Sequence, residues 1–216
     1  MLKRTLDILL ASLGIILLLP VWILIGIAII ADDGGPVLFH QIRAGQGKAP
    51  FDVLKFRTMR NHKVTRAGRW LRASGLDETL QLLQVLKGEM SLVGPRPLTM
   101  ADIERLGWNT VQHMDRWCSK PGITGLAQLY SGRGKRLSLF MDRYYTAHQS
   151  LWLDLKILAL SLPVNLLGKK RVRSWLRRRR TPVSAGRAPT QVPAAQVATI
   201  RVGIRALLPG EKMLDP

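Results

Sequence analysis

Hydrophobic positions divide this chain into three regimes. Between Ile8 and Ala31 they run on with no charged residue, and Lys3, Arg4 and Asp7 stand just before them. Such a stretch is long enough to cross a bilayer, which takes about 20 apolar residues. Between Val37 and Leu167 apolar and polar positions alternate, first at strand spacing and then at helix spacing. Beyond Gly168 the periodicity stops.

Within the middle regime, Val37–Ile42 predicts a strand, Gly45-Gln46-Gly47 a turn and Phe51–Phe56 a second strand. Together they form a hairpin closed by Arg57-Thr58-Met59-Arg60. From Thr65 to Lys87 the period becomes helical, with Leu71, Leu76, Leu80, Leu83 and Leu86 on one pattern and Gly88 as the stop. Residues 99–117 predict another helix. Lys120–Gly125 is expected as a turn, Leu126–Tyr130 as a short strand and Leu139–Ala147 as a short helix. Ser150–Leu167 predicts an apolar helix that Pro163 should bend or end. With Trp152 near its start and only Asp154 and Lys156 charged, it suits a membrane interface, the alternative being an ordinary core helix.

The first segment is a plain transmembrane anchor on hydropathy alone. It exceeds a signal-peptide core, and Ala31-Asp32-Asp33 offers no cleavage site. Pro20 near its middle removes an N–H and crowds the preceding turn, which kinks or breaks a helix. Lys3 and Arg4 precede the segment, and Arg43, Lys48, Lys55, Arg57 and Arg60 follow it. The positive-inside rule therefore puts both flanks in the cytosol. A helix that enters, bends at Pro20 and returns satisfies both features. The expected class is α+β and mostly helical: a monotopic membrane protein with a re-entrant helix (1–33), a catalytic domain with interfacial amphipathic helices and a small β-hairpin (34–168), and a tail (169–216).

Charge sharpens the tail. The chain carries +19, and residues 168–216 hold twelve Lys/Arg against two Asp/Glu. Basic clusters at Lys169–Arg173 and Arg177–Arg180 precede a Pro/Ala/Thr/Val/Gln-rich stretch, so 181–216 is expected to be largely disordered and the clusters to meet anionic lipid. Anionic partners of some kind are implied: headgroups, nucleotides or nucleic acid. Cys118 stands alone, so no intrachain disulfide forms, and the four histidines lack zinc-ligand spacing.

The candidate chemistry centres on Asp77 and Glu78. As helix neighbours they point about 100° apart and cannot act as a symmetric pair. One can attack phosphorus to form an acyl phosphate, while the other holds Mg²⁺, which takes one or two carboxylates plus substrate phosphates. Alone, such a pair more often caps a helix and faces water. Upstream, Arg66, Arg69 and Arg72 repeat along a helical face, either solvated or gathering phosphate. Downstream, Gly94-Pro95-Arg96-Pro97 holds one arginine between two rigid rings, which suits bidentate phosphate recognition. Lys55, Arg57, Lys120 and Arg133 are further cationic candidates.

Several segments together resemble the bacterial sugar transferase family, the monotopic polyprenol-phosphate phosphoglycosyl transferases. They are Lys3–Asp7, Lys55-Phe56-Arg57-Thr58-Met59, Leu76-Asp77-Glu78, Leu86–Pro97, Lys120-Pro121-Gly122-Ile123-Thr124-Gly125 and Ser150–Leu158, in the family's order across residues 2–168. The resemblance implies a first helix broken at Pro20 and a catalytic unit on the cytosolic face of the bacterial inner membrane. It implies that Asp77 attacks the β-phosphate of a UDP-sugar and expels UMP, and that Glu78 binds Mg²⁺. Polyprenyl (undecaprenyl) phosphate then takes the phosphosugar from Asp77, which starts glycan assembly. Arg96 and Arg133 resemble phosphate- or nucleotide-contacting arginines, Lys55 and Arg57 lie in a motif near the site, and Asp142 matches another acidic position. Family members usually read Leu-Pro where this chain has Thr79-Leu80. An anionic membrane is a further expected partner, no nucleic acid is expected, and homo-oligomerisation, sugar and pathway stay open. Two other readings remain: a non-catalytic membrane scaffold of the same fold, and a basic membrane-tethered nucleic-acid binder.

Overall fold

The computed structural model describes residues 1–129 and 134–167. Arg133, and the tail from 169 with its expected disorder, lie outside the described residues. Helix α1 (Leu2–Asp33) takes up the whole apolar segment, stays helical across Pro20 and ends where Gly34 turns left-handed, at φ 64°. Strands β1 (Leu38–Ala44) and β2 (Pro50–Phe56) pair antiparallel in the register Leu38 opposite Phe56 through Ala44 opposite Pro50. The hairpin matches its prediction to within two residues at each end, because two short apolar-rich runs flank a turn that carries two glycines.

A second small hairpin, β3 (Met59–Arg60) with β4 (Lys63–Val64), occupies the segment expected only to close the first. The predicted helix over 65–87 is three pieces. Helix α2 (Arg66–Ser74) is capped by the Thr65 hydroxyl, which accepts from the Gly68 N–H. It stops at Gly75, whose φ of 77° no other common residue adopts cheaply. A tighter 3₁₀ segment, Leu76–Gln81, follows, then helix α3 (Leu82–Lys87), which ends at Gly88 as expected. Helical periodicity runs through Gly75 because the leucines still face one core, although the backbone does not stay regular.

Strand β5 (Ser91–Val93) pairs in parallel with β6 (Gly122–Thr124). The expected helix over 99–117 is α4 (Met100–Leu106), left-handed Gly107 and a 3₁₀ segment, Val111–Cys118. The strand expected at Leu126–Tyr130 is instead a helical turn, α5 (Leu126–Leu129), and the strand lies just before it. Helices α6 (Lys135–Ala147) and α7 (Leu151–Leu167) complete the described chain, α7 continuing past Pro163.

Both ends of α1 are held by polar contacts to the body. At its start, Lys3 donates to Asp154 at 2.6 Å, Arg4 to the Leu86 carbonyl at 2.8 Å, and Asp7 accepts from the Leu92 N–H at 3.0 Å. At its end, Asp32 accepts from the Ala67 N–H at 2.9 Å and Asp33 pairs with Arg57. Between them, Ile25 and Ile29 share a core with Phe56, Leu71 and Leu80. Leu9, Leu13, Ile16, Leu17, Leu19, Ile23, Leu24 and Ile27 remain exposed. So large an uncovered apolar surface marks a membrane or partner contact.

The β5–β6 pair approaches closely through glycine. A Cβ on Gly122 would stand 2.0 Å from the Gly94 nitrogen and 2.5 Å from the Thr124 oxygen. Gly122→Ala is expected to destabilise the protein by about 1–3 kcal/mol, the usual cost of forcing a methyl into packed backbone. An unchanged thermal melt in detergent would contradict this.

Candidate active site

Asp77 and Glu78 sit in the first turn of the 3₁₀ segment, directly after the left-handed Gly75. In that geometry neighbouring side chains diverge by about 120° rather than 100°, and the two carboxylates have different surroundings. Glu78 is three-quarters buried. Its Oε1 accepts from Lys55 at 2.8 Å and from Arg96 at 2.9 Å. Burial pushes its pKa up, but the charges of Arg96 and Lys55 and their hydrogen bonds win and hold it at about 2. Among the described residues no ion pair reaches the Asp77 carboxylate. Burial, then the neighbouring Glu78 charge, push the Asp77 pKa above the ordinary carboxylate value, against Lys55 and Arg72.

Each partner comes from a different element. Register and alternation place Lys55 on the hairpin face that also carries Val53, Phe51 and Arg43. Burial lowers the Lys55 pKa, against the pull of Glu78. Arg96 reaches the site from the turn after β5. The dyad segment is also tied to the apolar helix α1. The indole N–H of Trp22 donates to the Thr79 hydroxyl at 2.9 Å, and that hydroxyl donates to the Leu76 carbonyl at 2.7 Å. A leucine at position 79 could make neither bond.

Not every candidate meets at this point. Arg57 donates to Asp33 and to the Pro36 and Met59 carbonyls, and so fastens the end of α1. Asp142 is buried on α6 and pairs with Arg116 at 2.8 Å, and burial pushes its pKa up to about 6 against that partner. It meets the site through Arg116 and the Arg96 carbonyl. Arg72 donates to Thr58 at 2.8 Å. Arg43 and Arg116 were not among the sequence candidates. Arg43 lies within electrostatic reach of Glu78 and Arg96, and a strand alternation that puts it on the face of Lys55 was the available signal.

The donor set suits Mg²⁺ held jointly with substrate phosphates. Two adjacent carboxylates are present, Glu78 is firmly ionised, and no group of three or more His, Cys, Asp or Glu among the described residues could form a protein-only cage.

A family model described as bacterial sugar transferase matches residues 1–168. The chain belongs to the bacterial sugar transferase family. Among its relatives is the UDP-glucose:undecaprenyl-phosphate glucose-1-phosphate transferase of Caulobacter vibrioides, 40% identical over 182 residues, covering 74% of this chain and 68% of that protein. The enzyme of the same name in Escherichia coli is 37% identical over 183 residues, covering 75% and 39%. The UDP-N-acetylgalactosamine-undecaprenyl-phosphate N-acetylgalactosaminephosphotransferase of Aeromonas hydrophila is 34% identical over 185 residues, covering 77% and 44%. The chain thus spans less than half the length of the last two. These relatives are named as sugar-1-phosphate transferases, and the chain is a transferase of the same family.

The depressed Glu78 pKa carries a stability consequence. Its folded value lies below the ordinary 4.5, so its contribution is complete above about pH 4.5 and is lost as pH falls toward 2. The stability gap between wild type and Glu78→Gln is expected to be on the order of 3 kcal/mol at neutral pH and to close toward pH 2. Denaturant titrations in detergent across that range check it.

Proposed function

We propose that this transferase moves a phosphosugar from a UDP-sugar to undecaprenyl phosphate through a covalent intermediate on Asp77, releasing UMP. The observation that carries this reading is the division of labour in the dyad. Glu78 is neutralised by two cations and held ionised, whereas Asp77 has no ion pair and a raised pKa. A carboxylate so placed is the better nucleophile. An Asp77 oxygen attacks the β-phosphorus. The bond from that phosphorus to the bridging oxygen breaks, and UMP leaves with the electron pair. A terminal oxygen of undecaprenyl phosphate then attacks the same phosphorus, and the acyl phosphate bond breaks. Asp77 is regenerated, and the product is an undecaprenyl diphosphosugar.

Phosphoryl transfer of this kind needs placement and positive charge more than a strong base. Arg96, Lys55 and Arg43 supply that charge around the dyad, and Arg133 is proposed to add to it. Glu78 would hold Mg²⁺, which neutralises charge on the phosphates when bound. The lipid substrate fits a site joined to a membrane helix by Trp22 and Thr79. The polar anchoring of both ends of α1 on one body supports a re-entrant helix on the cytosolic face of the bacterial inner membrane. A simple span would leave one end beyond reach. The relatives' names include both glucose and N-acetylgalactosamine, so the sugar is left to experiment.

The test uses the full chain in detergent with Mg²⁺, a panel of UDP-sugars and undecaprenyl phosphate. Mass spectrometry should find a phosphosugar on Asp77 with one of the sugars. Asp77→Asn should abolish the adduct and lower UMP release by at least about 10³-fold, and Glu78→Gln should lower it by about 10²-fold. A scaffold would show no adduct and no UMP with any sugar. Because the Asp77 pKa is raised, loss of adduct formation on the acid side should be centred above 3.8. A pH–rate profile of UMP release reads this directly.

A further inference from the structure

The turn that carries Arg96 has an unusual hydrogen-bonding problem. Pro95 and Pro97 have no N–H, so the turn must be held through its carbonyls. Four consecutive carbonyls are in fact taken. Pro95 accepts from the Gly122 N–H at 2.9 Å, and Leu98 accepts from the Ala44 N–H at 2.8 Å. Between these, the Arg96 carbonyl accepts from the Arg116 guanidinium at 2.7 Å, and the Pro97 carbonyl accepts from the Arg43 guanidinium.

Arg116 is built as a fixed part. It is 2% exposed, pairs with the buried Asp142 at 2.8 Å, and lies 4.5 Å from the Trp117 ring centre and 5.2 Å from that of Trp108. A buried guanidinium is costly unless all its neighbours compensate it. Here one carboxylate and two aromatic faces do so, and the remaining direction is aimed at a single main-chain oxygen. Arg96 in turn reaches Glu78.

We propose that Arg116, anchored by Asp142, is a positioning residue. It sets the Arg96 main chain from the interior so that the Arg96 guanidinium meets Glu78, with Arg43 gripping the next carbonyl from the hairpin. Arg116 touches no reacting group. The Asp142 position thereby acts from behind the turn, three links from the dyad. The catalytic meaning of this chain rests on the proposed reaction, but the coupling itself does not.

No hydrogen bond joins Arg116 to Glu78, and the hydrogen-bonded route between them runs through Arg96. The experiment is a double-mutant cycle in thermal stability, with wild type, Arg116→Lys, Glu78→Gln and the double variant of the full chain in detergent. Lysine keeps the charge for Asp142 but lacks the planar fork that bridges carboxylate and carbonyl. The melting shift caused by Glu78→Gln is expected to fall to half or less in the Arg116→Lys background. An equal shift in both backgrounds overturns the proposal. Should Arg116→Lys not fold, Asp142→Asn, which frees the guanidinium from its anchor, replaces it in the same cycle with the same two outcomes. In turnover, Arg116→Lys is expected to lower UMP release about tenfold through kcat, with KM little changed. A wild type that releases no UMP sinks the proposed reaction while leaving the stability cycle to decide this inference.

Discussion

Everything at this site depends on one buried carboxylate oxygen. Glu78 Oε1 accepts from Lys55 on the β-hairpin and from Arg96 on the turn after β5. Three pieces of chain with little secondary structure in common are thereby closed onto each other. A buried carboxylate with one partner would be costly, and with two cations it is strongly favoured as the anion. The same arrangement leaves Asp77, one residue earlier, outside the ion pairs and with its proton affinity raised by burial and by Glu78. Adjacent residues of the same chemistry thus acquire different properties from position alone.

The dyad is also constrained from the side of α1. Trp22 of α1 holds Thr79, and Ile25 and Ile29 pack with Leu80 of the dyad segment. The apolar helix is therefore packed against the dyad segment along part of its length. Its polar ends, Lys3 and Arg4 at one side and Asp32 and Asp33 at the other, spend their charge on the body. That is a different use from the one suggested by counting positive residues, which treats those charges as facing solvent or lipid headgroups.

Legibility followed the range of the determining contacts. The β1–β2 hairpin was readable because its two apolar-rich runs and its glycine turn are local. The stop at Gly88 was readable because glycine is the residue that turns left-handed at low cost. Gly75 escaped, since its leucine neighbours keep helical spacing across the break. The strands β5 and β6 escaped too. Each is three residues long and exists through a partner some thirty positions away, with glycine making room for it. Arg96 could be singled out from its flanking prolines. That its carbonyl is gripped by Arg116, and that Asp142 stands behind rather than in front, follows from packing in three dimensions.

By itself, the sequence determined the materials: a helix whose uncharged stretch is long enough for a bilayer, a hairpin presenting Lys55, two adjacent carboxylates and a proline-framed arginine. Local sterics and hydrophobic spacing suffice for these. Tertiary structure alone decided which carboxylate would be paired and which left outside the ion pairs. It also decided which basic residues serve the site, as Lys55 and Arg96 do, and which fasten the scaffold, as Arg57 and Arg116 do. The physical reason is that a charge takes its properties from burial and from neighbours within a few ångströms, and here those neighbours are distant in the chain.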